Sequence, residues 1–301
     1  MYLYHFGLRE LPFTLTPNTS FYCGLQSHDA ALNVLLTALK TGEGFIKITG
    51  EVGTGKTLLC RKLLNEVPDH FVTAYIPNPY LTPAELRQAI AVELGIEGVD
   101  KMDQHRLTQA LEQELLRINT LGRSVVILLD EAQALPKESL EALRLLSNLE
   151  TESRKLVHLI LMGQPELDER LAKREFRQLR QRITFSYALD SLNREEMGQY
   201  LQHRLMVAGY AGLPLFTPNL VQRVHKASRG VPRLANVIAH KALLSAYGAG
   251  RRKLIRKDVL AAVKDTEDAS AMGMGPGSWA AIGAMLGVVC VAGIAYAMDW
   301  V

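Results

Sequence analysis

The chain has 301 residues, 48% hydrophobic and 22% charged, a globular composition that excludes wholesale disorder. Lys and Arg number 34 against 31 Asp and Glu, and a net charge of +3 is too small to make general nucleic-acid binding the default. The three cysteines, Cys23, Cys60 and Cys290, are far apart and match no metal-ligand spacing, which argues against a disulfide scaffold or a zinc ribbon.

The N-terminus, MYLYHFGLRE, lacks the charged region and apolar core of a secretory signal. Up to about residue 189, short apolar runs alternate with amphipathic helical stretches. The runs are FIKIT (45–49), FVTAYI (71–76), VVILLD (125–130), LVHLILM (156–162) and ITFSY (183–187). Near-continuous apolar strands separated by helices predict an α/β fold with a parallel sheet covered on both faces.

The first strand runs into Gly50-Glu51-Val52-Gly53-Thr54-Gly55-Lys56-Thr57, which fits G-x-x-x-x-G-K-[S/T] and is followed by the helical TLLCRKLLNEV. The glycines let backbone N–H groups turn in around phosphate oxygens, and the helix N-terminus adds a favourable dipole. Lys56 is expected to reach the β- and γ-phosphates, and the Thr57 hydroxyl to bind Mg²⁺. The nucleotide-binding set extends through Leu58. Cys60, in the same helix, is either a reactive thiol near a positive helix end or a small packing residue.

The strand at 125–130 ends in two carboxylates. Asp130 is expected to hold Mg²⁺ opposite Thr57, and Glu131 to align and deprotonate the attacking water. The two elements together predict hydrolysis of ATP or GTP. Asp130-Glu131-Ala132-Gln133 also matches the DEAQ box of RNA helicases, but those enzymes need a second sheet domain. The segment after residue 190 is too short and too helical to supply one.

That segment begins with Asn193, which can cap a helix through Arg204 with Glu196 at its third position. Thr217-Pro218 starts a second helix, Pro232 opens a third that ends near Gly248, and Asp258 lies in a last one. Arg251-Arg252-Lys253-Leu254-Ile255-Arg256-Lys257 is strongly basic. It could hold anionic lipid, bind DNA phosphates, or be a solvated loop. ASAMGMGPGS (269–278) reads as a flexible linker. Trp279 to Met298 carries no formal charge and, as a helix, would span roughly 30 Å, the thickness of a bilayer core. Trp279, Tyr296 and Trp300 lie near its ends, and the basic residues upstream would keep the N-terminal part cytoplasmic. Gly283 and Gly287 form a G-x-x-x-G that permits close helix pairing.

Across about residues 1–265 these motifs resemble the AAA+ ATPases, in which a P-loop domain is followed by a small helical lid and active sites lie between subunits of a ring. The resemblance implies that Gln164, after the strand Leu159 to Gly163, is the sensor 1 residue. It implies an arginine finger in Arg177-Gln178-Leu179-Arg180-Gln181-Arg182-Ile183, with Arg182 first and Arg180 second. It makes Arg233, in Ser228-Arg229-Gly230-Val231-Pro232-Arg233, the sensor 2 arginine of the lid. His5-Phe6-Gly7-Leu8, Leu11-Pro12-Phe13, Thr16-Pro17-Asn18, Phe21-Tyr22 and Gly42-Glu43-Gly44-Phe45 are similar to the ExeA/GspA-type ATPases, and more closely to members that serve MSHA-type pilus biogenesis. In that family the segment before the P-loop lies near the adenine. Here its prolines and aromatics either form that wall or pack as an arm over the sheet. ExeA-type proteins continue past the membrane span into a peptidoglycan-binding periplasmic domain, which this sequence lacks, so a direct cell-wall role in cis is not expected.

The expected organisation is a P-loop AAA+ domain at 1–189, a helical lid at 190–268, a linker at 269–278 and a transmembrane helix at 279–298. The expected function is ATP hydrolysis with Mg²⁺ by a protein anchored in the inner membrane, supporting assembly of a type IV-like (MSHA) pilus or a related secretion apparatus. Expected partners are further copies in a ring, with a hexamer among the options, inner-membrane pilus or secretion components, and membrane lipid. Nucleic acid is not an expected partner. Adenine over guanine rests on the resemblance, since there is no N-K-x-D motif. The competing readings are an ATP-switched DNA-binding adaptor of the transposition or replication-loading kind, and a nucleotide-binding scaffold with negligible turnover.

Overall fold

A computed structural model describes residues 2–149 and 155–269. An N-terminal arm begins with the short helix α1 (Tyr2–Phe6) and leads to α2 (Gln26–Lys40) and strand β1 (Phe45–Gly50). There follow α3 (Lys56–Glu66), β2 (Phe71–Ile76), α4 (Pro83–Glu93), α5 (Gln104–Thr120), β3 (Ser124–Leu129), α6 (Lys137–Leu146) and β4 (Val157–Gly163). The short helices α7 (Glu166–Ala172) and α8 (Arg177–Arg180) precede β5 (Phe185–Leu189).

The strands form one parallel sheet in the order β2-β3-β4-β1-β5. Successive side chains alternate between its faces, and both faces are apolar, as the unbroken hydrophobic runs require. Val125, Ile127, Leu129, Leu159 and Leu161 pack with Leu86, Ile90, Leu111 and Leu115 of α4 and α5. Ile46, Ile48, Val126, Leu128, Ile160 and Met162 pack on the opposite face with Leu35, Leu39, Leu59 and Leu63 of α2 and α3. Register places Ile127 beside Leu159 and Ile46 beside Ile160, so the carboxyl ends of β3, β4 and β1 lie side by side. In an open parallel sheet that edge is where ligands bind.

A second core belongs to α9 (Arg194–Val207), α10 (Pro218–Ser228), α11 (Pro232–Gly248) and α12 (Arg256–Lys264). α9 starts at a capping box: the Asn193 side chain accepts from the N–H groups of Glu195 and Glu196 at 2.9 and 3.0 Å, and the Glu196 carboxylate accepts from Asn193 N at 2.9 Å. α10 and α11 each begin with proline, whose fixed φ suits a first turn.

The arm differs from expectation. The sequence places it in the 1–189 domain, as one option over the sheet. In the structure Tyr2, Phe6, Leu8, Phe13, Phe21 and Leu25 belong to the core of α9–α12, the helical lid. Tyr2 Oη lies 2.9 Å from His240 Nδ1, and Arg9 N donates to Ala208 O at 2.8 Å. β5 also shifts from the expected 183–187 to 185–189. It is one of the two edge strands and alternates in exposure, so its apolar pattern marks its limits poorly.

Among the described residues no helix is long and apolar enough to cross a membrane. The span at 279–298, the Gly283–Gly287 motif, Cys290 and all but the first residue of the linker lie outside the described residues.

Candidate nucleotide site

The phosphate loop joins β1 to α3. Gly53 and Gly55 sit at φ 82° and 107°, a left-handed region where a side chain is strained, and both are closely approached. A Cβ on Gly53 would lie 2.5 Å from Arg233 Cβ, and one on Gly55 would lie 2.9 Å from His28 Nε2. The lid and α2 therefore bear directly on the loop. Arg233 N donates to Gly53 O at 3.1 Å, which fixes the start of α11 on the loop. His28 Nε2 donates to Thr54 O at 2.8 Å.

Lys56 is buried at the first position of α3 and donates to Gly50 O and Glu51 O at 2.7 and 3.0 Å. Burial pushes its pKa down, against the pull of Glu131 and Asp130. It is a desolvated ammonium at a helix N-terminus, which suits a polyphosphate.

Asp130 follows β3 and is 2% exposed. The Thr57 hydroxyl donates to its Oδ2 at 2.6 Å, and the Tyr75 hydroxyl lies 3.5 Å from the same oxygen. Burial raises its pKa, opposed by the bonds from Thr57 and the Glu131 N–H. A hydroxyl and a desolvated carboxylate in contact form an oxygen-only donor pair of the kind Mg²⁺ takes, and a cation there would offset the cost of burying the charge.

Glu131 lies just past the strand in a left-handed conformation, φ 52° and ψ 37°, uncommon for a non-glycine residue. Its Oε2 accepts from Gln133 Nε2 at 2.6 Å and from Gln164 Nε2 at 3.0 Å, while Gln133 Oε1 accepts from Gln164 N at 3.0 Å. Burial alone would raise the Glu131 pKa. The two amide donors and Lys56 outweigh it and hold the carboxyl below its ordinary range, ionised and aimed.

The expected residues Gly50 to Leu58, Asp130, Glu131, Gln164 and Arg233 thus converge on one sheet edge. Gly53 to Leu58, Glu131 and Arg233 line a cleft of about 190 Å³ together with Thr14 to Asn18, Phe21, Tyr22 and Cys23 of the arm. A larger cavity of about 680 Å³ lies on α9 and α10 and contains no residue of the phosphate loop. Arg182 and Arg180 do not line the cleft of their own chain. Both are exposed, with Arg182 Nη1 donating to Ser147 Oγ at 3.1 Å and Arg180 Nη1 to Ala172 O at 3.2 Å. Cys60 is fully buried and its thiol is pushed well up by burial, which makes it a packing residue.

Four contributors escaped the sequence reading. Gln133 was visible only as part of DEAQ, with no hint that its amide bridges Glu131 and Gln164. His28, Tyr200 and Arg204 reach the cleft through tertiary packing. Arg204 is 5% exposed, bonds Pro12 O and Tyr200 Oη, and lies 4.6 Å from the Phe21 ring. It ties the arm to the lid.

Residues 39–171 match the family model described as the AAA domain. The fold is of the AAA type. Over 259 residues, 86% of the chain, the sequence is 41% identical to general secretion pathway protein A of Aeromonas hydrophila, and the chain spans about half (47%) of that relative. The ORC2 protein of Aeropyrum pernix, solved in ADPNP–ADP complexes, superposes with a TM-score of 0.63 at 18% identity, covering 88% of this chain and 74% of that one. Cdc6p of Pyrobaculum aerophilum gives 0.65 at 18% identity, covering 86% and 73%. At that identity the two structures establish the fold alone.

Proposed function

We propose that this chain is an ATP-hydrolysing AAA+ protein of the ExeA/GspA type, anchored in the inner membrane through residues 279–298 and cytoplasmic in its AAA domain. The single observation that carries the reading is the convergence of Lys56, Thr57, Asp130 and Glu131 at one sheet edge, with Glu131 held ionised by two amides. The loop N–H groups and Lys56 bind the β- and γ-phosphates. Thr57 and Asp130 would hold Mg²⁺, which supplies charge neutralisation at the phosphates when bound. Glu131 takes the proton of the attacking water, and Gln164 orients that carboxylate. Arg233 reports the state of the cleft to the lid, and Arg182 completes the site of a neighbouring copy, so the working form is a ring.

The similarity to general secretion pathway protein A supports a secretion setting. The N-terminal motifs favour its MshM-like branch, acting in MSHA-type pilus assembly with inner-membrane components. The test is the ATPase rate per subunit of the full chain in lipid, measured against protein concentration with and without Arg182→Ala. The expected result is a rate that rises with concentration and collapses in the variant. A flat, variant-insensitive rate would overturn the shared site.

A further inference from the structure

The nucleotide site leaves the basic run at 251–257 unused, and the structure divides it. Arg251 is committed to the fold: its guanidinium makes two bonds of 2.6 Å to the Asp258 carboxylate, which also accepts from Ile255 N at 2.9 Å and Ser245 Oγ at 2.7 Å. Arg252, Lys253, Arg256 and Lys257 are exposed, and among the described residues none is ion-paired. Arg256 and Lys257 occupy the first turn of α12, where the helix dipole disfavours a cation, so helix stability does not account for them.

Aromatic rings share this corner. His5 Nε2 donates to Arg251 O at 2.8 Å, and its ring packs edge-on against Tyr247 at 5.4 Å. Tyr247 is 40% exposed, and Tyr4, beside His5, is 97% exposed. Free cations close to exposed tyrosines match the chemistry of a membrane interface, where ammonium and guanidinium groups meet phosphates and amphipathic rings sit among headgroups.

The placement fits as well. The corner lies at the C-terminal end of α11, a 17-residue helix about 25 Å long whose other end meets the phosphate loop. The phosphate loop therefore lies about 25 Å from it, at the far end of α11. Downstream, α12 is 9 residues, about 14 Å, and residues 270–278 can extend up to about 30 Å, so the apolar 279–298 segment can enter a bilayer that the corner touches.

We propose that this corner of the lid docks on an anionic bilayer surface, with Arg252, Lys253, Arg256 and Lys257 on lipid phosphates and Tyr4 and Tyr247 at headgroup depth. It rests on the reading that residues 279–298 hold the chain at a membrane. DNA phosphates could meet the same cations, but the projecting rings and the apolar segment downstream favour lipid.

The test uses the full chain reconstituted in phosphatidylcholine vesicles and in phosphatidylglycerol-rich vesicles. A water-soluble amine-acylating reagent is applied, and labelling is read at each lysine by mass spectrometry. The expected result is several-fold protection of Lys253 and Lys257 in the anionic vesicles at low ionic strength, lost at high salt, with Lys40 and Lys101 labelled equally in both. Each cation changes surface partition about five-fold, so R252Q/R256Q removes most of that protection and leaves ATPase activity unchanged. Equal labelling of Lys253 and Lys257 in the two vesicle types would overturn the proposal. Protection by duplex DNA on phosphatidylcholine vesicles, with none from phosphatidylglycerol, would assign the run to nucleic acid instead. A high-salt, alkaline wash of the vesicles tests the anchor separately. Release of the chain would refute the 279–298 reading, while the low-salt labelling contrast would still decide the corner.

Discussion

Gly230→Ala perturbs the hinge that seats the lid on the phosphate loop. Gly230 has φ +78°, and a Cβ there would lie 2.3 Å from Leu192 O and 3.1 Å from Leu192 N. The left-handed conformation costs an alanine about 1–2 kcal/mol. Relieving the carbonyl contact requires backbone movement of about an ångström, roughly another 2 kcal/mol of strain. The structure sets a control at Gly42, where φ is +79° but nothing lies within 4 Å of the added Cβ. Gly42→Ala is therefore expected to cost only the conformational part. Urea unfolding of both variants measures the difference, expected at about 2 kcal/mol. The same displacement moves Val231 to Arg233, so nucleotide affinity in Gly230→Ala should fall at least about ten-fold, since an ångström of misplacement at a site is costly. Equal midpoints for the two variants would refute the close-approach argument, and unchanged affinity would detach the hinge from the site.

Further outcomes follow from the same geometry. Gln164→Leu removes a donor to the ionised form of Glu131, so the Glu131 pKa rises and the acid limb of the pH–kcat profile moves to higher pH; a limb that stays put would contradict the assigned bond. Lys56→Ala should abolish ATP binding without lowering the urea midpoint, because burial already opposes its charge; a large loss of stability would show a structural role instead. Asp258 is buried, yet its bonds from Arg251, Ile255 N and Ser245 hold its carboxyl below the ordinary range. Its contribution to stability is thus present above the ordinary carboxylate pKa and is lost as pH falls through the depressed value. Asp258→Asn should cost about 2 kcal/mol at neutral pH and flatten that acid slope; an unchanged slope would place the titration elsewhere.

The parallel sheet is legible in the sequence because its central strands are buried on both faces, which makes them continuous apolar runs such as Val125 to Leu129. Three of the four lid helices are legible from their ends: Asn193 with Glu196, Pro218 and Pro232 state where α9, α10 and α11 begin. The phosphate loop and the acidic pair are legible because their spacing from strand and helix is local. What was not legible depends on contacts between distant residues. The arm carries aromatics without a period, and nothing local says that Phe13 and Phe21 pack on the lid. Gln133 earns its place only when β3 and β4 bring it to Gln164. Arg204 looks like any polar helix residue until Pro12 and Phe21 close over it.

Glu131 is proposed as the base of an ATP hydrolysis site. Single-turnover hydrolysis by the full chain, wild type against Glu131→Gln, with ATP affinity measured in parallel, tests it most directly. Affinity should be unchanged and the hydrolysis rate lower by about 10²–10⁴-fold. Wild-type turnover in Glu131→Gln would contradict it.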